Sequence, residues 1–188
     1  PGSRLVWPLA LRASCAASLC CIHVQTRLNP MSLTHGPELD PEFVEGIRAI
    51  CEEHIVFNKV LGLKLTHLGG EVVSARIDMR DDLVGHFQYN RLHGGVISAV
   101  LDALGGIVCM NGLGVRHADE PVLDRLKRFS KLGTIDLRID YLRPSIAPYF
   151  IAKGELVRLG SRVGNTRMSF SSPDGKLLAT GSGAYIVS

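Results

Sequence analysis

The dominant pattern of the chain is a long apolar run, RLHGGVISAVLDALGGIVCM, at residues 91–110. Wound as a helix, it carries one carboxylate, Asp102, near its middle. A lone carboxylate among apolar residues is costly to bury unless something pairs with it or uses it. Helical spacing puts only small residues on its face, which leaves room for a ligand or a second backbone. Those residues are Gly95, Ser98, Ala99, Gly105 and Gly106. The pattern allows two interpretations, a structural Asp held by hydroxyls or amides and a functional acid.

A second pattern, at residues 134–141, alternates polar and apolar positions without a break, which predicts a half-buried strand. Upstream, Asp40 followed by Pro41 predicts the start of a helix that reaches about residue 57. Shorter patterns predict a helix at residues 122–130 and strands at residues 61–68, 71–79, 150–159, 162–171 and 177–187.

The order of these elements predicts the fold class. Consecutive strands joined by short turns form antiparallel sheets, and a long helix with a wide apolar surface needs a cover. We therefore expect an α+β fold in which an antiparallel sheet wraps the central helix, as one domain over residues 31–188. The charged segment 112–133 is expected either to cover a pocket as a lid or to be a solvated excursion.

Composition narrows the function. The chain has 188 residues, 46% of them hydrophobic and 21% charged, with a net charge of +3, which is typical of a globular protein. No basic block with interleaved aromatic residues points to nucleic acid. The five cysteines lack the spacing of a metal site or a disulfide framework, so we expect no metal and a reduced compartment such as the cytoplasm.

Residues 1–30 stand apart because they contain three arginines and no acidic residue. We interpret them as a leader, tag-like or upstream segment and expect them to be disordered; a mitochondrial presequence, which would direct the protein to the matrix, is the alternative. Pro8 and Arg12 interrupt any span of bilayer length there, and Asp102 and four glycines interrupt the run at 91–110. We therefore expect no membrane segment.

Three motifs resemble one known family. They are His93-Gly94-Gly95, Asp102 nine residues after His93, and the strand TIDLRIDYLRP at residues 134–144. Together they resemble the hotdog-fold acyl-CoA thioesterases, specifically the PaaI-type branch of the 4-hydroxybenzoyl-CoA thioesterase superfamily, and within it the YigI-like subgroup. The resemblance covers about residue 41 to the end and implies a hotdog fold, an antiparallel sheet around a long central helix.

The resemblance also implies roles for individual residues. Asp102 matches the catalytic carboxylate, acting as a nucleophile or as a general base for water. Gly94, followed by Gly95, matches the position whose backbone N–H polarises the thioester carbonyl, which suits the positive end of a helix dipole. His93 is expected to orient this loop and Thr134 to place water. In the family the site lies between two subunits, which implies a homodimer or homotetramer.

Two further groups of residues match the family less well. Relatives have an Asn six residues before the motif His, where this chain has Phe87; Asn90, three residues before it, is the candidate substitute. For CoA binding the resemblance points to Tyr141, Arg158, Ser161 and Arg162, with ordinary edge-strand charge as the alternative for the arginines.

We therefore expect hydrolysis of an apolar acyl-CoA, with a medium-chain, long-chain or aryl acyl group, and no cofactor apart from the CoA of the substrate. Three alternatives stay open. A non-catalytic acyl-CoA or acyl-carrier-protein binding module would explain the missing Asn. A hydratase or dehydratase of the same fold fits the spacing of His93 and Asp102 poorly. A purely structural oligomer would leave Asp102 as a paired acid.

Overall fold

The computed structural model describes residues 39–188, in which an antiparallel sheet curves around one long helix. The helices are α1 (Pro41–Ala49), α2 (Val56–Leu61), α3 (Gly94–Arg116) and α4 (Val122–Lys127), with a π-helical turn at Ile50–His54 between α1 and α2. The strands are β1 (Lys64–His67), β2 (Val72–Asp78), β3 (Val84–His86), β4 (Arg91–Leu92), β5 (Gly133–Tyr141), β6 (Tyr149–Leu159), β7 (Val163–Ser171) and β8 (Leu177–Ile186). The predicted leader, residues 1–30, lies outside the described residues.

Six strands form the main sheet in the order β1-β2-β6-β7-β8-β5, with every neighbouring pair antiparallel. Strands β3 and β4 form a separate two-stranded ribbon directly before α3. The predicted α+β class, with an antiparallel sheet around a central helix, is confirmed. The topology leaves β5 at one edge of the sheet.

The core lies between α3 and the concave face of the sheet. Leu101, Leu104 and Cys109 of α3 are fully buried, and Phe150 and Phe170 stack beneath the helix with ring centroids 5.2 Å apart. The apolar period of α3 thus fills the core as predicted, while the face that carries Asp102 turns towards β5 and β8.

Helix α3 ends at Arg116, later than the end that the sequence pattern predicts near residue 111. The reason is that Gly112 and Gly114 serve close packing and do not end the helix. A Cβ atom on Gly112 would overlap the side chain of Leu156, and one on Gly114 would overlap the ring of Phe43. Glycine here lets β6 and α1 approach the helix, at a cost in helix propensity that the packing offsets.

Among residues 39–188, α3 is the one helix long and apolar enough to cross a membrane by length and composition. Its most apolar window has a mean hydropathy of 1.8, and 67% of that window is buried within the fold. Such burial is typical of a core helix that a sheet covers.

The segment after α3 is fixed to the N-terminal helix by a buried arginine. Arg125 of α4 is only 3% exposed; its Nη2 lies 3.2 Å from Oδ2 of Asp40, and its guanidinium lies over the ring of Phe43. Asp40 also caps α1, because its Oδ1 accepts a hydrogen bond from the backbone N–H of Glu42. One carboxylate therefore starts α1 and anchors α4.

This double role gives the first prediction. Asn caps helices as well as Asp, so Asp40→Asn keeps the cap and removes the charge opposite buried Arg125, which we expect to lower the free energy of unfolding by about 1–2 kcal/mol. Asp40→Ala loses the cap as well and should cost about 1 kcal/mol more. Urea unfolding measures both.

The control is Asp82→Asn, which removes an ion pair that Asp82 forms with Arg80 on the surface. We expect a change below about 0.5 kcal/mol for this exposed pair. Equal losses for Asp40→Asn and Asp82→Asn would contradict the anchoring role of Arg125.

Candidate active site

Asp102 lies half-buried on α3 and faces a cavity of about 240 Å³. The helix contributes small residues to this cavity, as the sequence pattern predicts for Ala99 and Gly106, while α2 and the turn after α4 contribute larger apolar side chains. The residues that line it include Ile55, Phe57, Ala99, Gly106, Phe129 and Leu132. A carboxylate therefore stands at the wall of an apolar cavity, and part of segment 112–133 covers that cavity.

Two hydroxyl groups from the sheet hold the carboxylate. Thr134 Oγ1 donates to Asp102 Oδ1 over 2.9 Å. The hydroxyl of Tyr185 lies 3.1 Å from the backbone oxygen of Asp102 and 3.4 Å from its Oδ1. Within residues 39–188 no hydrogen bond reaches Oδ2. The structure thus brings Thr134 to Asp102 and leaves one carboxylate oxygen available for chemistry, while the placing of water by Thr134 stays a prediction.

Tyr185 enters this site without having been predicted. Its side chain is 1% exposed, and burial, together with the negative charge of Asp102, raises the pKa of the phenol well above its usual value. The hydroxyl therefore stays protonated around neutral pH, so it remains a donor. Sequence reasoning missed it because an aromatic residue in the last strand of a sheet normally belongs to the core.

The His93-Gly94-Gly95 motif forms the N-terminus of α3. His93 caps the helix, because its Nδ1 accepts a hydrogen bond from the backbone N–H of Gly95 over 2.9 Å. The N–H of Gly94 has no acceptor within residues 39–188 and is the free donor of this first turn. Tyr141 donates its hydroxyl proton to the carbonyl oxygen of Gly94 over 2.9 Å.

A second cavity, of about 490 Å³, opens in front of this helix end. Gly94 and Tyr141 line it together with two arginines, Arg91 and Arg143. The free N–H and the positive end of the helix dipole favour an anion or a developing oxyanion here.

Within one chain, the N–H of Gly94 and the carboxylate of Asp102 lie at different cavities. Gly94 and Asp102 are eight residues apart on the same helix, which separates them by about 12 Å along its axis. A single thioester carbonyl is too small to meet both groups of one protomer.

Asn90 and Phe87 lie in the turn between β3 and β4. Asn90 has a φ of +46°, the left-handed conformation that Asn tolerates better than most residues, so the turn itself accounts for an Asn at this position. The side chain of Phe87 is 85% exposed. Replacement of the family Asn by Asn90 stays a prediction.

The proposed CoA-binding residues Arg158, Ser161 and Arg162 lie at the turn between β6 and β7, and all three are exposed. Arg116, at the end of α3, donates to the carbonyl oxygens of the residues at 159 and 160 in this turn. Arg116 follows Asp102 by 14 residues, which is about 21 Å along the helix. Within one chain the structure does not bring these residues to Asp102, whereas it does place Tyr141 beside Gly94.

The described residues give little support for a cysteine nucleophile or a metal centre. Burial raises the pKa of the thiols of Cys51 and Cys109 to about 12, so neither is a ready nucleophile. No group of three or more His, Cys, Asp or Glu side chains in the described part of the chain is arranged to hold a metal ion.

Comparison with known proteins identifies the family. The sequence model of the Thioesterase superfamily matches residues 89–179. The protein named medium/long-chain acyl-CoA thioesterase YigI, in both Escherichia coli and Salmonella typhimurium, is 34% identical over 134 residues, which is 71% of this chain and 86% of the relative. The chain belongs to the thioesterase superfamily. The matches confirm the predicted resemblance, including that to YigI, while assignment to the PaaI-type branch stays a prediction.

Solved structures of superfamily members share the fold. A protein from Shewanella oneidensis related to the thioesterase superfamily is 34% identical, with a TM-score of 0.71 over 79% of this chain and 99% of its own. A putative thioesterase from Syntrophus aciditrophicus is 32% identical, with a TM-score of 0.69 over 78% of this chain and 97% of its own. The hotdog fold predicted from the motifs is confirmed.

The helix cap formed by His93 gives a prediction that separates its hydrogen bond to Gly95 from the packing of its imidazole. An Asn side chain can also accept the N–H of Gly95, so we expect His93→Asn to unfold within about 0.5 kcal/mol of the wild type, and His93→Ala to lose about 1 kcal/mol. Urea unfolding measures both. Equal loss in the two variants would show that packing of the imidazole against Gly85, and not the cap, is what His93 contributes.

Proposed function

We propose that this protein hydrolyses the thioester of acyl-CoAs that carry an apolar acyl group, releasing the free acid and CoA. The observation that carries the proposal is the position of Asp102, which lines an apolar cavity and whose Oδ2 accepts no hydrogen bond from residues 39–188. The activity named for the YigI relatives supports the same reaction, and their medium- and long-chain substrates suit a cavity lined by Ile55, Phe129 and Leu132.

In the proposed reaction the free N–H of Gly94 stabilises the negative charge that develops on the thioester oxygen. Oδ2 of Asp102 either attacks the carbonyl carbon or takes a proton from a water molecule that attacks it. In the first route the C–S bond breaks to leave an acyl-Asp anhydride, which water then hydrolyses to the acid and the regenerated carboxylate; in the second the C–S bond breaks after water has added to the carbonyl. In both routes CoA leaves as a thiolate that takes up a proton, and water supplies the hydroxyl of the acid. The residues need no metal or redox cofactor for these steps.

We also propose that the site is built by two copies of the chain. Within one chain, eight helical residues separate Gly94 from Asp102 by about 12 Å. The two groups can act on one substrate if Asp102 of one protomer faces the Gly94 end of the same helix in its partner. Strand β5 supports this, because it is a nine-residue edge that exposes 57% of Ile135 and 55% of Tyr141. The sequence predicts these two side chains on a half-buried face; in the described chain both are more than half exposed, although Tyr141 bonds to Gly94, and a bulge between Thr134 and Asp136 interrupts the alternation. A homodimer, or a tetramer made from two of them, would cover this edge.

The first test of the function is thiol release from a panel of acyl-CoAs. We expect turnover to peak on medium- or long-chain or aryl substrates and to fall at least about 1,000-fold in Asp102→Asn, because the amide can neither attack nor accept the proton. Asp82→Asn is the control for loss of a surface carboxylate and should keep wild-type turnover.

Two outcomes would contradict the proposal. Tight binding of acyl-CoA without turnover by the wild type would indicate the non-catalytic binding module, with the missing family Asn as its explanation. Hydration of an enoyl-CoA in place of hydrolysis would indicate the hydratase class.

A second prediction tests the N–H of Gly94. Gly94→Pro removes this donor at the first position of a helix, where Pro is well tolerated, and the extended ψ of +135° at His93 suits a following Pro. We expect kcat to fall about 100-fold to 1,000-fold. Gly94→Ala adds a similar Cβ, 3.3 Å from the ring of Tyr141, but keeps the N–H, and should retain most of the activity.

Mixing the two inactive variants tests the shared site. In a heterodimer of Gly94→Pro and Asp102→Asn, one of the two shared sites has both the N–H and the carboxylate, so an equal mixture should recover about a quarter of the wild-type sites. No recovery after refolding the variants together would show that each chain builds its own site.

A further inference from the structure

Tyr185 stands directly opposite Thr134 in the register of β8 and β5. Because opposite residues of an antiparallel pair place their side chains on the same face, the two hydroxyls point at the same stretch of α3. Both reach Asp102, Thr134 at 2.9 Å and Tyr185 at 3.4 Å from the same oxygen, Oδ1. The sheet therefore presents a pair of hydroxyl donors to one side of one carboxylate.

Two glycines leave room for the phenol of Tyr185. A Cβ atom on Gly105 of α3 would overlap the hydroxyl and ring of Tyr185, and a Cβ atom on Gly183 of β8 would come within 2.7 Å of them. Helix and strand thus both carry glycine where the phenol passes between them. This clearance brings the hydroxyl to the backbone oxygen of Asp102, at 3.1 Å, as well as to its carboxylate.

We propose that Tyr185 is a positioning residue for the reaction, which fixes the orientation of the Asp102 carboxylate and leaves Oδ2 as the reacting oxygen. The inference rests on the proposed thioesterase function. A carboxylate that turns freely about its last bond presents its oxygens over a range of directions, and catalysis depends on holding the reacting atom in line. Thr134 alone gives one point of attachment; Tyr185 gives a second one, because its single hydroxyl proton is shared between Oδ1 and the backbone oxygen of Asp102.

The test is Tyr185→Phe, which keeps the ring and removes the hydroxyl. A hydrogen bond to a charged group corresponds to about a 10-fold to 100-fold change in rate, so we expect kcat to fall by that factor while KM stays within about twofold. The matched control is Tyr149→Phe, which removes a phenol hydroxyl from a ring that stacks under Arg76, on β2, away from the cavity. Its kcat and KM should equal those of the wild type.

The double variant Thr134→Ala with Tyr185→Phe separates positioning from a structural role. If both hydroxyls act on one oxygen, the loss in kcat for the pair differs from the product of the two single losses, whereas independent structural effects multiply. Urea unfolding of each variant shows whether the fold is intact, and Thr134→Ser, which restores a hydroxyl, should recover kcat.

The outcomes are distinguishable. Wild-type kcat in Tyr185→Phe, with an active wild-type enzyme, overturns the positioning role and leaves the proposed function standing. A fall in kcat that comes with an equal fall in Tyr149→Phe, or with a lowered urea midpoint, assigns Tyr185 to the core and also overturns it. A wild type with no turnover on any acyl-CoA overturns both proposals.

Discussion

The structure depends on how one carboxylate is accommodated in an apolar helix. Helix α3 supplies the core of the sheet with fully buried residues, and Asp102 interrupts it on the face towards β5 and β8. Removal of an ion from water costs several kcal/mol unless donors replace the lost hydration. Thr134 and Tyr185 are those donors, and small residues around Asp102 keep an open cavity in place of a packed core. The packing around Asp102 therefore both replaces the hydration of the carboxylate and leaves it accessible to a ligand.

The rigidity of the same helix sets the architecture of the proposed site. Because Gly94 and Asp102 belong to one continuous α-helix, no motion within the fold can bring the free N–H to the carboxylate. In the proposed mechanism, one of the two groups therefore comes from another chain. The proposal places the second copy at the exposed edge strand β5, which begins beside Thr134, and so ties catalysis to assembly.

The sequence predicts the framework well because its elements are strongly periodic. Each main element has its own signal in the sequence: the apolar run around Asp102, the alternation at residues 134–141, and the tight turns between β6, β7 and β8. The motif at His93 indicates the family. The failures come from tertiary contacts that leave no local trace. Glycines 112 and 114 look like the end of a helix, but they make room for Leu156 and Phe43. Tyr185 looks like core, and only its position opposite Thr134 reveals its hydroxyl as a partner of Asp102.

The family match spans residues 89–179 and so contains Gly94, Asp102 and Thr134, but parts of the cavity lie outside it. Ile55 and Phe57 precede the matched range, and Tyr185 follows it. The matched range also contains Phe129 and Leu132 of the cavity wall, so this wall is built partly inside and partly outside the match. Asp40 and Arg125 tie α1, which precedes Ile55 and Phe57, to α4, which precedes Phe129 and Leu132, so one ion pair links the two apolar parts of the wall. A substitution in this wall can therefore change the proposed acyl preference while Asp102 and Gly94 stay in place.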